Sequence, residues 1–483
     1  MSTSSIRVRF APSPTGMMHL GGVRTALMNY LFALQKNGIF IIRIEDTDTE
    51  RNYDPQATGI INDILWLGLH YQHGPVVSGP DAPYFQSERT SIYQTHLTQL
   101  ISNKFVYRCF CTSLELEKKR ERQIALKQPP RYDKTCLKLS DQEIQKQLDK
   151  QVPFIWRMKF ESDKSVTIHD LSHGIINFEF KNFSDFPLTR QDGSFTFIFA
   201  NFVDDLTMKI THVIRGEDHL TNTACQAALY QAFEAPLPVF WHLPIICNVE
   251  GKKLSKRDFG FSLRDLKDTG YLPQAINNYL ATIGGGTLDN QILALPELAR
   301  SFDFNKIHAT GQVKYDVEKL KWFNHKWINE LNPQELYDQT IEFIKNEFPQ
   351  TTSIPRDTLT VLLQAIKPNM TTLADAAELL RFYFVRTLIQ KETFTSHIDS
   401  AFIQQIATVL TESINEVAHP ETYIDKIKDL AKINNIPVKV LYTALRLCLT
   451  GTLGGPTLAT ILYILGESES RIRIVYLINQ ITK

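Results

Sequence analysis

The sequence lacks the features that mark membrane, secreted and disulfide-bonded proteins. No apolar run in its 483 residues reaches the roughly 18–20 residues of a membrane span. Residues 1–5, Met-Ser-Thr-Ser-Ser, have neither a basic segment nor an apolar core, so no secretory signal is visible. Six cysteines are too few for a disulfide scaffold in a chain of this length. We therefore expect a cytoplasmic protein that has unpaired thiols and no membrane partner.

A surplus of positive charge is also missing. Lys and Arg together number 52, as do Asp and Glu, so the formal net charge is zero. Proteins that bind nucleic acid without sequence preference are usually basic, because phosphates attract Lys and Arg. The balance weighs against that class, but it permits recognition of a shaped RNA through local basic patches and splayed bases.

The composition is otherwise that of a globular protein, with 43% apolar and 22% charged residues. The length predicts two to four domains. No internal repeat or low-complexity tract is evident in the sequence.

The most informative segment is residues 12–22, Pro-Ser-Pro-Thr-Gly-Met-Met-His-Leu-Gly-Gly. Residues 6–10 before it alternate like a half-buried strand. Apolar residues after it recur at helical spacing as far as Asn37 and Gly38, where the helix is expected to stop. The segment therefore lies where a strand leads into the N-terminus of a helix.

A helix N-terminus suits a phosphate, because it carries free N–H groups and the positive end of the helix dipole. Gly21 and Gly22 have no Cβ, so a nucleotide can approach the backbone closely. His19 can then donate a hydrogen bond to a phosphate oxygen on which charge develops. The alternative is an ordinary strand–turn–helix with glycines at its corner.

A second basic segment occupies residues 251–258, Gly-Lys-Lys-Leu-Ser-Lys-Arg-Asp. Its lysines are compact point charges on a loop, so Lys253 and Lys256 can cover the α-phosphate and the departing pyrophosphate of a nucleotide. The alternative is a solvated charge run on the surface.

Together the two segments resemble the nucleotide-binding motifs of class I aminoacyl-tRNA synthetases. The residues before His19 match the glutamate-specific branch, in which Gly is also usual at position 22. Residues 46–51, 83–89 and 215–220 match the same branch, and the similarity covers essentially the whole chain. The resemblance implies that ATP is contacted by Pro12, Gly21, Gly22, Lys253, Leu254, Ser255, Lys256 and Arg257.

The resemblance also implies the reaction. Glutamate and ATP would form glutamyl-adenylate and pyrophosphate, in a step that needs bound tRNA and has Lys256 as its main transition-state contact. The glutamyl group would then pass to the 3′ end of tRNA(Glu). Mg²⁺ should accompany ATP, since it neutralises phosphate charge, and the expected state is a monomer.

A pocket for L-glutamate needs cations for two carboxylates and an anion for the ammonium group. Arg9, Glu45 and Arg215 lie at strand ends, where ligands bind in open α/β sheets. We assign Arg9 and Arg215 to the carboxylates, because the arginine fork binds them in a bidentate way, and Glu45 to the ammonium. The alternative is a structural ion pair at each strand end. Other residues expected to line or approach this pocket are Ala11, Ser13, Asn201 and Asp218.

Position 197 departs from the family pattern. The family usually has Tyr there, followed by Asn or His, whereas this chain has Phe197 and Ile198. One neutral hydrogen bond, worth about 1 kcal/mol, is lost with the hydroxyl. We therefore expect a weaker pocket, and an alternative is a variant that also or mainly charges tRNA(Gln) with glutamate.

Cys109, Cys111 and Cys136 stand apart from the other three cysteines, which lie in apolar surroundings. In some relatives such a pattern binds Zn²⁺, with Tyr132 or the residue two past the third cysteine as the fourth ligand. That residue is Lys138 here, which cannot ligate as a cation, and zinc prefers four ligands. The alternative is three free cysteines in a shielded hairpin.

The predicted fold class is α/β. A parallel, Rossmann-like nucleotide-binding catalytic domain with an inserted α/β domain is followed by an all-α C-terminal anticodon-binding region. The expected boundaries are 1–107 and 187–245 for the two catalytic halves, 108–186 for the inserted acceptor-end-binding domain, 246–328 for the connector with the second motif, and 329–483 for the helical region.

Three other functions fit the sequence less well. Glutaminyl-tRNA synthetases have a β-barrel type of anticodon region, which the helical C-terminal pattern contradicts. A truncated relative that modifies tRNA with glutamate has no anticodon domain. An inactive tRNA-binding protein is disfavoured because His19, Lys253 and Lys256 are all present.

Overall fold

The computed structural model describes residues 5–14, 16–47, 52–255, 258, 260, 262–283, 291–306 and 312–482. The chain divides into two compact units. The first unit is formed by Met1–Leu266 and Pro273–Val317, and the second by Lys267–Leu272 and Glu318–Lys483. Within the described ranges, no helix has the length and apolar character needed to cross a bilayer.

The strands of the described chain all belong to the first unit. They are β1 Arg7–Phe10, β2 Ile39–Ile42, β3 Val106–Cys109, β4 Ile155–Met158, β5 Ser165–Asp170, β6 Gly174–Glu179, β7 Phe186–Pro187, β8 His212–Gly216, β9 Val239–Leu243, β10 Ile246–Cys247 and β11 Val313–Lys314.

Helices follow or connect these strands. Those that begin before residue 317 are α1 Leu20–Gln35, α2 Thr58–Trp66, α3 Thr90–Ser102, α4 Ser113–Ala125, α5 Asp141–Asp149, α6 Phe197–Thr207, α7 Leu220–Ala232, α8 Leu263–Thr269, α9 Pro273–Thr282 and α10 Leu295–Ser301.

The central strands run parallel. β1 pairs with β2, so that Phe10 lies opposite Ile42. β8 pairs with β9, and β5 pairs with the other side of β9; β6 adds an antiparallel edge to β5. The Thr211 N–H donates to the Arg7 carbonyl at 2.9 Å and links the start of β8 to β1. This arrangement, with α1 and α7 after β1 and β8, confirms the predicted α/β class with a parallel sheet.

The carboxyl ends of these strands meet at one edge, which is where ligands bind in such sheets. Beyond the last β1–β2 pair, the Arg43 N–H donates to the Phe10 carbonyl at 3.1 Å, and the Glu45 N–H donates to the Pro12 carbonyl at 2.9 Å. The first motif and the acidic end of the second strand are therefore held side by side.

All the regular secondary structure in the described residues of the second unit is helical. Its helices are α11 Val317–Glu330, α12 Pro333–Glu347, α13 Arg356–Ile366, α14 Asp375–Phe384, α15 Lys391–Thr395, α16 Ile403–Ser413, α17 Pro420–Ile433, α18 Val438–Thr450 and α19 Leu458–Ile481, the last broken at Gly466. Amphipathic spacing predicts this all-α region, and the structure confirms it.

Candidate active site

A cavity of about 620 Å³ opens at the carboxyl edge of the first unit's strands. Every predicted ATP, glutamate or catalytic residue within the described ranges lines it, from Arg9 on β1 to Ser255. Lys256 and Arg257 lie outside the described residues. The sequence-predicted lining residues are Arg9, Ala11, Pro12, Ser13, His19, Gly21, Gly22, Glu45, Phe197, Asn201, Arg215, Asp218, Lys253, Leu254 and Ser255.

His19 is the N-cap residue of α1. Its Nδ1 accepts a hydrogen bond from the Gly22 N–H at 3.1 Å. Burial lowers the pKa of His19, the charge of Lys253 lowers it further, and Asp218 acts in the opposite direction. The ring is therefore neutral at pH 7. Because Nδ1 is the acceptor, the ring proton is assigned to Nε2, which makes that atom a donor.

Gly21 and Gly22 leave room beside this ring. A Cβ on Gly21 would stand 3.2 Å from both Cε1 and Nδ1 of His19, closer than an ordinary contact, whereas a Cβ on Gly22 would stand 3.8 Å from Cε1. Glycine is therefore favoured at position 21 on steric grounds, because a side chain there would press on the His19 ring.

Lys253 brings a cation to the same cavity. It is placed by a tight turn in which it pairs with Cys247, and the Leu254 N–H donates to the Ile246 carbonyl at 3.0 Å. Its Nζ donates to Asp218 Oδ2 at 3.1 Å while most of its side chain is exposed. Further along, Ser262 pairs with His19. The two sequence motifs therefore converge on one cavity.

Arg215 is a buried cation in the cavity wall, and among the described residues none of its hydrogen-bond partners is a carboxylate. It is 6% exposed, and its Nη2 donates to Thr223 Oγ1 and Gln226 Oε1, both at 2.7 Å. Its Nε and Nη1 have no hydrogen-bond partner within the described chain. Burial lowers the pKa of Arg215 to about 9, and the charge of Arg9 contributes in the same direction. A buried, incompletely compensated guanidinium beside a cavity suits an anionic ligand.

Arg9, by contrast, is engaged within the protein. Its Nε and Nη2 clamp the two oxygens of Asp205 at 3.0 and 3.1 Å. Its Nη1 has a long contact of 3.5 Å to the Ile214 carbonyl, so this nitrogen is the one best placed to reach a ligand. Arg9 therefore lines the cavity wall and also forms a structural ion pair, the alternative that the sequence left open.

Glu45 lies 6% exposed in the same wall. Its Oε1 accepts from Asn201 Nδ2 at 2.5 Å and from Arg43 Nη2 at 3.2 Å. Burial raises the pKa of Glu45, and the nearby charges of Arg43 and Arg9 act against that rise. A bound ammonium group would further favour the ionised carboxylate.

Phe197 begins α6 and lines the cavity, one turn before Asn201 on the same helix. Its ring centroid lies 5.6 Å from that of His219. Ile198 packs against the hydrophobic core. The position that differs from the family pattern is therefore part of the cavity wall, whereas its neighbour is not in that wall.

Sequence patterns did not point to the buried residues behind these side chains. Arg43 is fully buried and contacts three carboxylates at 2.8–3.4 Å. A charged residue between the apolar Ile42 and Ile44, directly after β2, was the available signal. The other buried partners, for which no local signal exists, are Asp170, Asp204, Asp205, Thr223, Gln226 and His242.

The three cysteines singled out in the sequence lie together, with their Sγ atoms within 4.8 Å of one another. Tyr132 Oη is 3.3 Å from Cys109 Sγ and 3.7 Å from Cys111 Sγ. The hydrogen bond between Cys136 and Cys109 lowers the pKa of Cys109 to about 4 and raises that of Cys136, and burial raises the pKa of Cys111. The three sulfur atoms lie close enough together to fit a zinc ion, with the Tyr132 oxygen nearby, and zinc binding would itself favour their thiolate forms.

Comparison with known proteins agrees with this geometry. Residues 5–322 match the family model of the catalytic domain of class I tRNA synthetases (E and Q), and residues 317–478 match an anticodon binding domain. A protein named glutamate–tRNA ligase from Carboxydothermus hydrogenoformans is 34% identical over 98% of this chain and 100% of its own length.

Two further proteins give the same result. Glutamate–tRNA ligase 2 of Nitrosococcus oceani is 35% identical over 99% of this chain and 100% of its own. A crystal structure of a glutamate tRNA ligase from Elizabethkingia meningosepticum, in complex with its amino acid, superposes with a TM-score of 0.84, 31% identity and coverage of 99% of this chain and 100% of that chain. The predicted resemblance is confirmed, and the chain belongs to the class I tRNA synthetases (E and Q).

Proposed function

We propose that this protein activates glutamate with ATP and transfers the glutamyl group to the 3′ end of tRNA(Glu). The observation that carries the proposal is Arg215, a buried guanidinium beside the cavity whose Nε and Nη1 have no partner in the described chain. A substrate carboxylate supplies the missing acceptor. The names of the similar proteins support the same substrate.

In the first step, an oxygen of the glutamate α-carboxylate attacks the α-phosphorus of ATP. A bond forms between this oxygen and the α-phosphorus. The bond between the α-phosphorus and the oxygen that bridges to the β-phosphorus breaks, and pyrophosphate leaves. We assign Arg215 and the Nη1 of Arg9 to the carboxylates, Glu45 to the ammonium, and the Nε2–H of His19 to a phosphate oxygen. Positioning and charge stabilisation then supply most of the acceleration.

The cations of the second motif act on the phosphates in this proposal. Lys253 already lies beside the cavity, where Asp218 holds its ammonium. Lys256 and Arg257 are assigned to ATP from the sequence motif. Mg²⁺ enters with ATP, whose charge it neutralises. In the second step the terminal ribose hydroxyl of tRNA attacks the activated carbonyl, and AMP leaves.

The rest of the chain serves tRNA in this proposal. The catalytic domain comprises residues 1–107 and 187–245, and the inserted domain, residues 108–186, holds the acceptor end of tRNA. The connector comprises residues 246–328, and the helical region, residues 329–483, binds the anticodon. We further propose that Cys109, Cys111 and Cys136 hold a structural Zn²⁺, with Tyr132 as the nearest fourth donor. The protein acts as a monomer in the cytoplasm.

A second candidate is a variant that also charges tRNA(Gln) with glutamate. The observation in its favour is Phe197, which lines the cavity where the family pattern has Tyr. Side-by-side charging of purified tRNA(Glu) and tRNA(Gln) with labelled glutamate decides between the two functions.

The proposal is tested by ATP–pyrophosphate exchange with a panel of amino acids, with and without tRNA(Glu). We expect exchange with glutamate that depends on tRNA, and little with glutamine or aspartate. Absence of exchange under every condition would support an inactive tRNA-binding protein instead.

A further inference from the structure

Among the described residues, Arg215 has hydrogen-bond partners for one nitrogen only. Its Nη2 donates to Thr223 Oγ1 and to Gln226 Oε1, and both acceptors are neutral. The remaining nitrogens, Nε and Nη1, have no partner within the described chain. An arginine on a flexible stem needs such a hold, because its side chain otherwise loses conformational entropy when it binds a ligand.

The first acceptor leads to a buried carboxylate. Thr223 Oγ1 lies 2.8 Å from Nε2 of His242, and Nδ1 of His242 lies 2.6 Å from Asp170 Oδ2. His242 stands opposite Arg215 in the β8–β9 pair, and Asp170 ends the neighbouring β5. Thr223 and His242 are fully buried, and Asp170 is 1% exposed.

The direction of the hydrogen bonds follows from protonation. Burial lowers the pKa of His242, and its hydrogen bond to Asp170 acts against that shift. Burial alone would raise the pKa of Asp170, but the hydrogen bond from His242 and those from Ser172 and His173 keep it well below its usual range. A neutral His242 therefore donates Nδ1–H to the Asp170 carboxylate, and its Nε2 is the nearer acceptor for the Thr223 hydroxyl, whose other acceptor is the His219 carbonyl at 3.2 Å.

The second acceptor leads to another carboxylate. Gln226 Nε2 donates to Asn201 Oδ1 at 2.7 Å, and Asn201 Nδ2 donates to Glu45 Oε1. Both amide orientations are thereby fixed. Two chains of hydrogen bonds thus run from Nη2 of Arg215, each through two neutral side chains, to a buried acid.

We propose that Thr223, His242 and Asp170 are positioning residues for the substrate-binding Arg215, with Gln226 and Asn201 as a second support. Neutral acceptors hold the guanidinium in place without cancelling its charge, which a directly bound carboxylate would do. Nε and Nη1 stay available to a substrate carboxylate. This inference rests on the proposed function of the cavity.

The same network also ties β5, β8 and β9 to α7. A purely structural role therefore predicts equal increases of the KM values for glutamate and ATP, whereas a positioning role predicts an increase for glutamate alone. Thr223→Val removes the hydroxyl at nearly constant volume, and Thr223→Ser keeps it. We expect Thr223→Val to raise the KM for glutamate about tenfold, because a hydrogen bond to a charged group is lost. The KM for ATP should stay near that of the parent protein, and Thr223→Ser should restore the KM for glutamate.

His242 supplies a second pair of variants. His242→Gln can still accept from Thr223 through an oxygen near the position of Nε2, whereas His242→Asn can still donate to Asp170 from near the position of Nδ1. We expect His242→Asn to raise the KM for glutamate more than His242→Gln, with the KM for ATP unchanged in both. Circular dichroism melting of each variant reports whether it folds.

The outcomes separate the two proposals. An unchanged KM for glutamate in folded Thr223→Val, while the parent protein shows glutamate-dependent exchange, would overturn the positioning role and leave the proposed function intact. Equal increases of the KM values for glutamate and ATP would also overturn it, as a general structural defect. If Thr223→Val does not fold, the His242 pair gives the same decision. A parent protein without glutamate-dependent exchange would refute the proposed function itself.

Discussion

Among single residues, Arg215 has the surroundings that most directly imply a ligand. Arg215→Lys keeps a positive charge but loses the planar fork and the hold through Nη2. We expect the KM for glutamate in ATP–pyrophosphate exchange to rise about 100-fold, the effect of losing one or two charge-assisted hydrogen bonds. Arg356→Lys, which alters an exposed arginine paired with Asp338, is the matched control. A KM for glutamate that is equal in the two variants would contradict the assignment.

His19 joins a structural role as the helix cap to a proposed chemical role, and the two can be separated. His19→Asn retains an N-cap acceptor for the Gly22 N–H but loses the Nε2–H donor. We expect kcat of exchange to fall about 100-fold, the usual cost of one transition-state donor, with the melting temperature unchanged. His19→Ala should lose both the cap and the donor, and loss of the cap should lower the free energy of unfolding by about 1 kcal/mol. Full activity in His19→Asn would show that the histidine serves only as a cap.

His212 makes the stability depend on pH in a definite direction. Its ring packs 4.8 Å from that of Phe32, and burial lowers the pKa of His212 to about 4. The unfolded value is about 6.5, so between about pH 6.5 and 4 the unfolded chain binds more protons. The free energy of unfolding should therefore fall as the pH falls through that window. In His212→Gln this slope, measured by urea unfolding, should be smaller; an equal slope would contradict the explanation.

The sequence was sufficient for the residues that line the cavity and insufficient for those behind them. The glycine, histidine and lysine motifs identify residues of the cavity wall, because phosphate binding requires those residue types at those spacings. Asp170 and His242 are 72 residues apart, and they meet only because β5 and β9 pair in one register. No local pattern encodes such a register between distant strands, so the support behind Arg215 required the structure.

Among the structural elements, the cysteine cluster joins β3 to the turn at Thr135–Lys138. If it holds zinc, the purified protein contains about one equivalent of the metal per chain, as structural sites of this donor type do. Cys136→Ser should lose that zinc and melt at a lower temperature. Cys225→Ser, at a buried cysteine outside the cluster, should keep its zinc. If the parent protein contains no metal after expression with added zinc, the zinc proposal is contradicted and the cluster consists of three free thiols.

Elements with strong local signals were predicted closely. The helix expected to stop near Asn37 and Gly38 ends at Gln35, and Asn37 has a φ of 50° in the left-handed region that terminates helices. The run of charged residues from Leu114 through Leu126 has a helical pattern, and α4 spans Ser113–Ala125. The pairing of these elements was less accessible, since the apolar period fixes the type of an element but not its neighbours.

At the scale of the whole molecule, two compact units predict two unfolding steps. A mixture of ATP and a non-reactive glutamate analogue should raise the midpoint of one step only, because a ligand stabilises the unit that binds it. Arg473 lies 2% exposed in the second unit, where its Nε bonds Glu469 at 2.9 Å. Arg473→Met should lower the midpoint of the other step and reduce the free energy of unfolding of the second unit by about 2–4 kcal/mol. Urea unfolding followed by tryptophan fluorescence and circular dichroism measures both, and a single step that shifts with either change would contradict the prediction.

The proposed reaction requires one cavity that holds glutamate and the α-phosphate together. A crystal structure with a non-hydrolysable glutamyl-adenylate analogue tests it most directly. We expect a substrate carboxylate within hydrogen-bond distance of Nε or Nη1 of Arg215, and the phosphate analogue beside Nε2 of His19. An analogue bound with Arg215 and His19 both untouched would contradict the proposed reaction.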